Sequence, residues 1–370
     1  MPFSHLKTIL LFLFFISISG STLSEAQTIE PLKVGVVGLT HTHVHWILGR
    51  PDRGDIEIVG IVEPNKELAQ RYADQHGYSM DIVFDTMEDM ITATNPEAIT
   101  AFGTIYEHLE VVEKAAPLGI HVMVEKPLAV SLDHAHKMKA LAEQHNIHLL
   151  TNYETTWYPT NHKAFEMAKK GEIGDLRKIV VHDGHKGPAE IGVNQEFLEW
   201  LIDPVQNGAG ALTDFGCYGA NLITWLKGGE KPESVFAVTQ TIKPEIYTKV
   251  DDEATIVLTY PEMQGIIQAS WNWPFNRKDM EVYGQTGYII SDNRSDIRYR
   301  LSENEAEQKE TLNELLSPYD DPFALFAAVI RNEITLPAYD LSSLENNMIV
   351  MEILDAAIRS AKTGKRVYLK

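Results

Sequence analysis

Residues 121–128 have the sequence His-Val-Met-Val-Glu-Lys-Pro-Leu, a short apolar run that ends in a charged pair and a proline. Such a run is typical of a buried strand, and Pro127 ends it because proline has no amide hydrogen to donate. Open parallel sheets bind ligands at the carboxyl ends of their strands. Lys126 is therefore a candidate catalytic residue facing the ligand crevice. The alternative is a surface lysine in a strand-to-helix turn.

Strands and helices alternate on both sides of this run. Further strands are predicted at residues 34–37, 56–62, 98–102 and 148–151, and helices at 66–76, 108–118 and 132–144. Alternation at this spacing predicts a doubly wound parallel sheet of the α/β class. We assign residues 32–152 to a dinucleotide-binding Rossmann domain.

From residue 153 the pattern changes to strands with period-two alternation, after a helix predicted to begin at Pro159. Short connections at 261–264 and 284–287 predict hairpins. The polar stretch 292–310 is predicted to be rich in loops, and 342–361 to be an amphipathic packing helix. Residues 153–370 are therefore predicted to form an α+β domain with a large, mostly antiparallel sheet.

A second motif lies at residues 208–218, Gly-Ala-Gly-Ala-Leu-Thr-Asp-Phe-Gly-Cys-Tyr, which places Asp214 and Tyr218 four positions apart. At the entry to a helix, this spacing predicts that both side chains point the same way. Together with the Glu-Lys-Pro turn, the segment resembles the Gfo/Idh/MocA family, and the tyrosine variant is that of its glucose-fructose oxidoreductase-like members. The resemblance runs from about Leu32 to Lys370.

The resemblance implies hydride transfer between a nicotinamide cofactor and a sugar, polyol or related carbohydrate. Lys126, Asp214 and Tyr218 would be catalytic, with Lys126 orienting the hydroxyl and Tyr218 or Asp214 handling its proton. The C-terminal sheet would mediate a homo-oligomer. The cofactor groove would be lined by Gly38, Thr40, His41, Glu63, Thr104, His108, Glu125 and Lys126.

The first turn departs from the family's Gly-x-Gly-x-x-Gly pattern. The three glycines align with Gly38, Thr40 and His43, so only the first is kept. Glu63, after the second predicted strand, is suited to accept hydrogen bonds from the adenosine ribose and would repel a 2′-phosphate. NAD is therefore favoured over NADP. The alternative for Glu63 is a solvated carboxylate in a turn.

Histidines replace the missing glycines, in the sequence His41-Thr-His43-Val-His45. On a helix, His41 and His45 would form the i, i+4 pair that helical zinc sites use. The histidines could instead bind an anion at the start of a helix. We favour hydrogen-bonded histidines that fill a narrowed cofactor groove, with a metal site as the alternative.

The net charge of −20 on 370 residues argues against nucleic acid and anionic membranes as partners, because both carry negative charge. Residues 1–26 have a lysine, an apolar run at 9–18 and small residues up to Ala26, which predicts a signal peptide cleaved after Ala26 and an exported protein. The apolar run is too short to span a bilayer of roughly 30 Å, so no stable anchor is expected after cleavage. Cys217 is the only cysteine, which excludes an intramolecular disulfide, and it is expected to be a buried packing thiol.

Two other classes of function stay open. One is a non-redox or self-recycling carbohydrate lyase or glycoside-cleaving enzyme with the same fold. The other is a sugar-binding protein that has lost dehydrogenase activity. Under each of the three interpretations, the partner is a small-molecule carbohydrate.

Overall fold

The computed structural model describes Met1 and residues 30–369. The predicted signal peptide, apart from Met1, lies outside the described residues. In the part of the chain that the model describes, no helix has the length and apolar character needed to cross a membrane.

The first sheet of the described chain has six strands, all paired in parallel, in the order β3-β2-β1-β4-β5-β6. The strands are β1 (Leu32–Val37), β2 (Ile56–Val62), β3 (Val83–Phe84), β4 (Ala98–Ala101), β5 (His121–Glu125) and β6 (Leu149–Asn152). Every residue of β4 is buried, as expected for a central strand covered on both faces, and every residue of the edge strand β6 is buried as well. The predicted doubly wound parallel sheet is confirmed.

Helices connect these strands. They are α1 (Val44–Leu48), α2 (Lys66–His76), α3 (Met87–Thr94), α4 (His108–Ala115) and α5 (Leu132–His145). The side chain of Asn65 caps α2 by accepting hydrogen bonds from two backbone amides, and Gly77 ends the helix in the left-handed conformation. These signals explain why the prediction of a helix over 66–76 matches the structure.

The rest of the chain carries eight helices and nine strands among the described residues. In chain order they are α6 (Pro159–Lys169), β7 (Leu176–Gly184), α7 (Pro188–Ile191), α8 (Gln195–Leu201), α9 (Pro204–Asn207), α10 (Ala211–Asp214), α11 (Gly216–Leu226), β8 (Ser234–Gln240), β9 (Glu253–Thr259), β10 (Gln264–Ser270), β11 (Arg277–Gly284), β12 (Tyr288–Ser291), β13 (Asp296–Arg300), β14 (Gln308–Thr311), α12 (Pro322–Ile330), α13 (Leu344–Thr363) and β15 (Val367–Tyr368). Three short 3₁₀ helices occupy Met80–Ile82, Ala116–Leu118 and Glu154–Trp157.

The nine strands form a second sheet in the order β14-β13-β12-β11-β7-β10-β9-β8-β15. Its pairings are antiparallel except that between β7 and β10. The predicted mostly antiparallel sheet is confirmed. Both sheets lie within one compact unit, Pro31–Lys370, and the domain boundary near residue 152 stays a prediction.

The stretch 292–310, predicted to be rich in loops, contains β13 and part of β14, and the rest of it is loop. Ile297 and Tyr299 of β13 are buried while the residues between them face outward. The stretch is polar because these strands form the edge of the sheet, where only alternate side chains reach the core.

Helices α11 and α13 pack against one another and against the second sheet. In β9, Ala254, Ile256 and Leu258 are buried, whereas the alternate residues are partly exposed. The predicted C-terminal packing helix is confirmed as α13, which is capped by Ser343 and followed by Gly364 at φ 63°.

Candidate active site

Lys126 follows β5 directly and is buried, with 5% of its surface exposed. Its Nζ lies 2.5 Å from Oδ1 of Asp214 and 3.3 Å from the Asp214 carbonyl oxygen. Burial opposes the charge of each partner, but the pairing outweighs it, so the pKa of Lys126 is raised and that of Asp214 lowered. The pair is therefore ionised at the carboxyl end of the parallel sheet.

Asp214 is held in place by the glycine-led segment before it. The carboxylate of Asp251 accepts hydrogen bonds from the amides of Gly210 and Leu212, at 2.9 and 2.7 Å, and so fixes the start of α10. A β-carbon at Gly210 would lie 1.8 Å from the Asp251 carbonyl oxygen, so only glycine fits there. The indole of Trp271 donates to Oδ2 of Asp214 at 3.1 Å, which fixes the other carboxylate oxygen.

Tyr218 lies on α11, and Asp214 is the last residue of α10, so a break at Phe215 separates them. The expectation that they sit together at the entry to one helix is wrong in detail, because Asp214 belongs to α10 and α11 begins at Gly216. The two residues are still brought to one place, because Nζ of Lys126 lies 5.3 Å from the centre of the Tyr218 ring. Burial raises the pKa of Tyr218 well above its ordinary value, so the phenol keeps its proton.

A second charged group adjoins Tyr218. Nζ of Lys278, on β11, lies 4.6 Å from the centre of the Tyr218 ring and donates to the carboxylate of Glu154. Burial favours the neutral acid, but Lys278 outweighs it and lowers the pKa of Glu154 to about 2. Glu154 also accepts a hydrogen bond from the Tyr158 hydroxyl at 2.6 Å.

Asp183 pairs with Lys278 in the register of β7 and β11 and is buried. Within the described chain, neither of its carboxylate oxygens has a hydrogen-bond partner. Burial raises the pKa of Asp183 well above its usual range, since Lys278 offsets only part of the desolvation. Asp183 is therefore a neutral acid next to the ionised groups.

Two histidines lie at the carboxyl end of β7, His182 within the strand and His185 just after it. Nδ1 of His182 lies 2.9 Å from Oδ2 of Asp279. His185 packs edge-on against Phe215, and burial lowers its pKa to about 4. His185 is neutral at neutral pH.

The first turn connects to β5 through His43. Nδ1 of His43 lies 2.8 Å from Oε2 of Glu125, and Nδ2 of Asn152 donates to Oε1 of Glu125 at 2.8 Å. The ring of His43 stacks on Trp46 at 3.8 Å between ring centres. His43, which replaces the third glycine, thus positions Glu125 of the Glu-Lys-Pro turn.

His41 and His45 do not form the expected i, i+4 pair, because α1 begins only at Val44. Nδ1 of His45 instead lies 2.8 Å from Nε2 of His76. The group that gathers around His41 consists of His43 and Glu125. Sequence reasoning missed this group because Glu125 comes from β5, on another part of the sheet.

Thr40 stands where the second glycine of the fingerprint would be. Its Oγ1 accepts a hydrogen bond from the indole of Trp200, on α8, at 3.1 Å. Glu63 is buried, and its two oxygens accept the amides of Leu39 and Asn65 at 3.0 and 2.9 Å. Glu63 therefore stabilises the first turn through these hydrogen bonds, and it is not a solvated carboxylate.

A cavity of about 260 Å³ lies at the carboxyl ends of β1, β2 and β4, between Gly38, Pro64, Gly103, Thr104 and His108. Gly38 has a φ of 78°, and a β-carbon there would lie 2.6 Å from the Gly103 nitrogen. Only glycine permits this approach of the two turns. The cavity therefore fits the nucleoside end of a dinucleotide. The hydrogen bond between Thr40 and Trp200 narrows the first turn, where the pyrophosphate would lie.

The structure places the residues predicted from sequence in separate groups, and Thr40, His41, Glu63 and Glu125 do not line the cavity at the ends of β1, β2 and β4. Lys126, Asp214 and Tyr218 form one cluster, and Gly38, Thr104 and His108 line one cavity. Glu154 and Lys278 were missed. The position of Glu154 just after β6 was the available signal, because β6 ends beside β5 in the same sheet. A lysine in an alternating strand, such as Lys278, gives no comparable signal.

Fold and site together define a dinucleotide-binding protein with a buried lysine–carboxylate ion pair. Two family models match the chain: the oxidoreductase family with an NAD-binding Rossmann fold over residues 32–153, and the GFO/IDH/MocA C-terminal domain over residues 161–290. The chain belongs to the Gfo/Idh/MocA family, as the sequence resemblance predicted.

The relatives include trans-1,2-dihydrobenzene-1,2-diol dehydrogenase of Macaca fuscata fuscata, which is 26% identical over 236 residues, or 63% of this chain and 66% of the relative. The chain thus spans just under two thirds of the length of the curated relatives it matches first.

Among solved structures, an inositol dehydrogenase homolog from Azotobacter vinelandii complexed with NAD+ has a TM-score of 0.80 at 15% identity, covering 92% of this chain and 98% of its own. An aldose-aldose oxidoreductase from Caulobacter crescentus complexed with glycerol has a TM-score of 0.77 at 19% identity, covering 92% of this chain and 100% of its own. At these identities the likeness is one of fold.

Proposed function

We propose that this protein is a nicotinamide-dependent oxidoreductase that transfers hydride between the cofactor and a hydroxyl-bearing carbon of a sugar, polyol or related carbohydrate. The observation that carries the proposal is the buried ion pair of Lys126 and Asp214, beside Tyr218 and at the carboxyl end of β5. Family membership supports it, as does the dehydrogenase activity for which the relatives are named.

In this mechanism the substrate hydroxyl lies against the Lys126 ammonium. As the hydroxyl gives up its proton, negative charge develops on the oxygen, and the fixed cation stabilises it in a site where water is largely excluded. Asp214 is the ionised acceptor of the cluster and takes the hydroxyl proton, so that the carbonyl double bond forms. Tyr218 keeps its proton and donates a hydrogen bond.

The cofactor fits the cavity at the ends of β1, β2 and β4, where Gly38, Thr104 and His108 would hold it. When bound, the nicotinamide supplies the hydride acceptor. We further propose a preference for NAD over NADP. Glu63 supports this, because its buried carboxylate lies under the first turn and disfavours a nearby 2′-phosphate.

Steady-state kinetics with NAD and a panel of sugars and polyols test the function. Asp214→Asn keeps the shape but removes the proton acceptor, and is expected to lower kcat about 10²- to 10⁴-fold. Lys137→Met is the matched control, because Lys137 is an exposed lysine paired with Asp133 on α5. Equal turnover in Asp214→Asn and in the control would contradict the assignment.

Cofactor preference is tested separately, by calorimetric titration with NAD and NADP. Tighter binding of NAD is expected in the natural protein. A Glu63→Gln variant should lose part of this discrimination, since it removes the negative charge. Equal affinities in the natural protein would contradict the preference.

We also propose that the chain is exported and cleaved after Ala26. The apolar run at 9–18 and the small residues before position 27 support this. Expression of the full chain and amino-terminal sequencing of the secreted or periplasmic product should give a start at Gln27. A product that stays in the cytoplasm with an intact amino terminus would contradict export.

Finally, we propose a homo-oligomer that forms through the partly exposed face of the second sheet. The half-exposed Thr255, Val257 and Thr259 of β9 support this, because they alternate with buried residues on the covered face. Light scattering during size-exclusion chromatography should give a multiple of the chain mass. A monomer at micromolar concentration would contradict the proposal.

A further inference from the structure

We propose that His41, His43 and Glu125 bind a divalent metal ion of the zinc class. Each residue offers a ligand atom, and these atoms all lie within 4.8 Å of one another. The group joins the first turn to the end of β5. The proposal does not depend on the nicotinamide chemistry described above.

The first argument is the charge of Glu125. This residue is 1% exposed, and one of its oxygens accepts from the neutral amide of Asn152. The adjacent Lys126 directs its ammonium to Asp214 and not to Glu125. A buried carboxylate requires a compensating cation, and among the described residues the basic side chain that bonds Glu125 is His43, whose Nδ1 lies 2.8 Å from Oε2. A metal ion would supply that charge.

The second argument is an unsatisfied nitrogen. His41 is 1% exposed, and its Nδ1 accepts the backbone amide of His43 at 3.1 Å. Its Nε2 is buried and has no hydrogen-bond partner among the described residues. Buried polar atoms are nearly always paired, so such an atom indicates a bound group.

The third argument is that both rings are already oriented. The His43 ring stacks on Trp46, with ring centres 3.8 Å apart and planes inclined by 14°. The His41 ring is held by the edge of Phe197 at 4.8 Å. Packing of this kind reduces the entropy that a metal must overcome to order its ligands.

A comparable group elsewhere in the described chain shows the difference. His182, Asp279 and Glu281 also gather within ligand distance. There, however, Nε of Arg277 lies 2.5 Å from Asp279, and its guanidinium lies 3.9 Å from Glu281. An arginine already neutralises that group, whereas no lysine or arginine bonds Glu125 in the described residues. The metal is therefore assigned to the first group alone.

The donor set selects the class of ion. Two imidazoles and one carboxylate suit zinc and its neighbours in the transition series, while magnesium and calcium prefer oxygen ligands throughout. Three protein ligands leave a coordination position for an oxygen from water or from a bound molecule. The ion would thus add positive charge to a first turn that has lost two of its fingerprint glycines.

The test is metal binding by the full protein, without cofactor or substrate. Chelator-treated protein is titrated with Zn²⁺ by calorimetry and with Co²⁺ by visible absorption, which reports tetrahedral nitrogen and oxygen ligation. The natural protein should bind one equivalent of each ion. His41→Ala should weaken Zn²⁺ binding by about 10²-fold or more and abolish the Co²⁺ bands.

Two controls keep the result interpretable. His45→Ala and His182→Ala remove histidines outside the group and should bind Zn²⁺ as the natural protein does. His43→Gln keeps an amide near Glu125, so a loss of binding there in a folded protein points to ligation. Failure of the natural protein to bind Zn²⁺ would overturn the proposal. So would Zn²⁺ binding by His41→Ala and His43→Gln that is as tight as that of the natural protein. Either result would leave the oxidoreductase function untouched.

Discussion

Nζ of Lys126 lies 2.5 Å from Oδ1 of Asp214, although the two residues are 88 positions apart in the sequence. Each partner is about 5% exposed, so each charge is stabilised by the other and hardly by water. The ion pair therefore couples the end of the parallel sheet to the short helices that precede α11.

This pair predicts a non-additive effect on stability. Lys126→Met would leave the Asp214 carboxylate buried and unpaired, and should lower the free energy of unfolding by about 3–5 kcal/mol. The double variant Lys126→Met/Asp214→Leu should recover much of that loss, because no buried charge remains. Urea unfolding measures the free energy of unfolding of Lys126→Met, of Asp214→Leu and of the double variant. A loss in the double variant equal to the sum of the two single losses would contradict the coupling.

A second ion pair is predicted to matter for stability alone. The Arg50 side chain is 5% exposed and bonds both Asp55, at 2.5 Å, and Asp321, at 3.0 Å. Arg50→Ala should cost about 3–5 kcal/mol of unfolding free energy, since it removes the nearest cation from the partly buried carboxylates of Asp55 and Asp321. Arg53→Ala, at the more exposed neighbour that pairs with Asp320, should cost at most about 1 kcal/mol. Similar losses in thermal or urea unfolding would refute this difference.

Burial lowers the pKa values of His108 and His121 to about 4, and His185 should add to the fall in stability that these groups cause between pH 6.5 and about pH 4. Burial, with Lys278 and Lys126 nearby, lowers its pKa to about 4, although Asp214 and Glu190 oppose the shift. Over this range the unfolded state binds a proton that the folded state does not, so acid favours unfolding.

The expected contribution of His185 is on the order of 1–3 kcal/mol. His185→Asn cannot titrate and should flatten that part of the pH profile of unfolding free energy. Glu154 contributes a separate loss at lower pH, below its ordinary pKa of 4.5 and towards about 2. An unchanged slope in His185→Asn between pH 6.5 and 4 would show that other groups control the acid sensitivity.

The bond between Thr40 and Trp200 predicts an effect on cofactor affinity. Thr40→Gly restores the second glycine of the fingerprint and removes a side chain from the phosphate position, so NAD should bind about tenfold tighter. Thr42→Gly is the control, because it lies between the aligned glycine positions. Calorimetric titration compares the two, and weaker or unchanged binding in Thr40→Gly would mean that the dinucleotide does not approach this turn.

The sequence was most informative where signals are local. The asparagine at position 65 and the glycine at 77 define α2, and the run before Pro127 defines the end of β5. The family resemblance then paired Lys126 with Asp214, which spacing alone could not do.

Contacts between distant positions were beyond reach. Glu125 and His43 are 82 positions apart, and Lys278 and Glu154 are 124 apart, so their pairing depends on how the sheets are placed. Local periodicity fixes which face a side chain takes, but not its partner across the cleft. The same limit explains why His41 was paired with His45 and not with Glu125.

The most direct test of the account follows a single hydride. Mature protein is incubated with NAD and a panel of sugars and polyols deuterated at the hydroxyl-bearing carbons, and the recovered nicotinamide is weighed by mass spectrometry. The account predicts deuterated NADH with at least one substrate, formed about 10²-fold or more slowly by Lys126→Met. No labelled NADH from any substrate, or equal labelling by Lys126→Met, would contradict hydride transfer at this lysine.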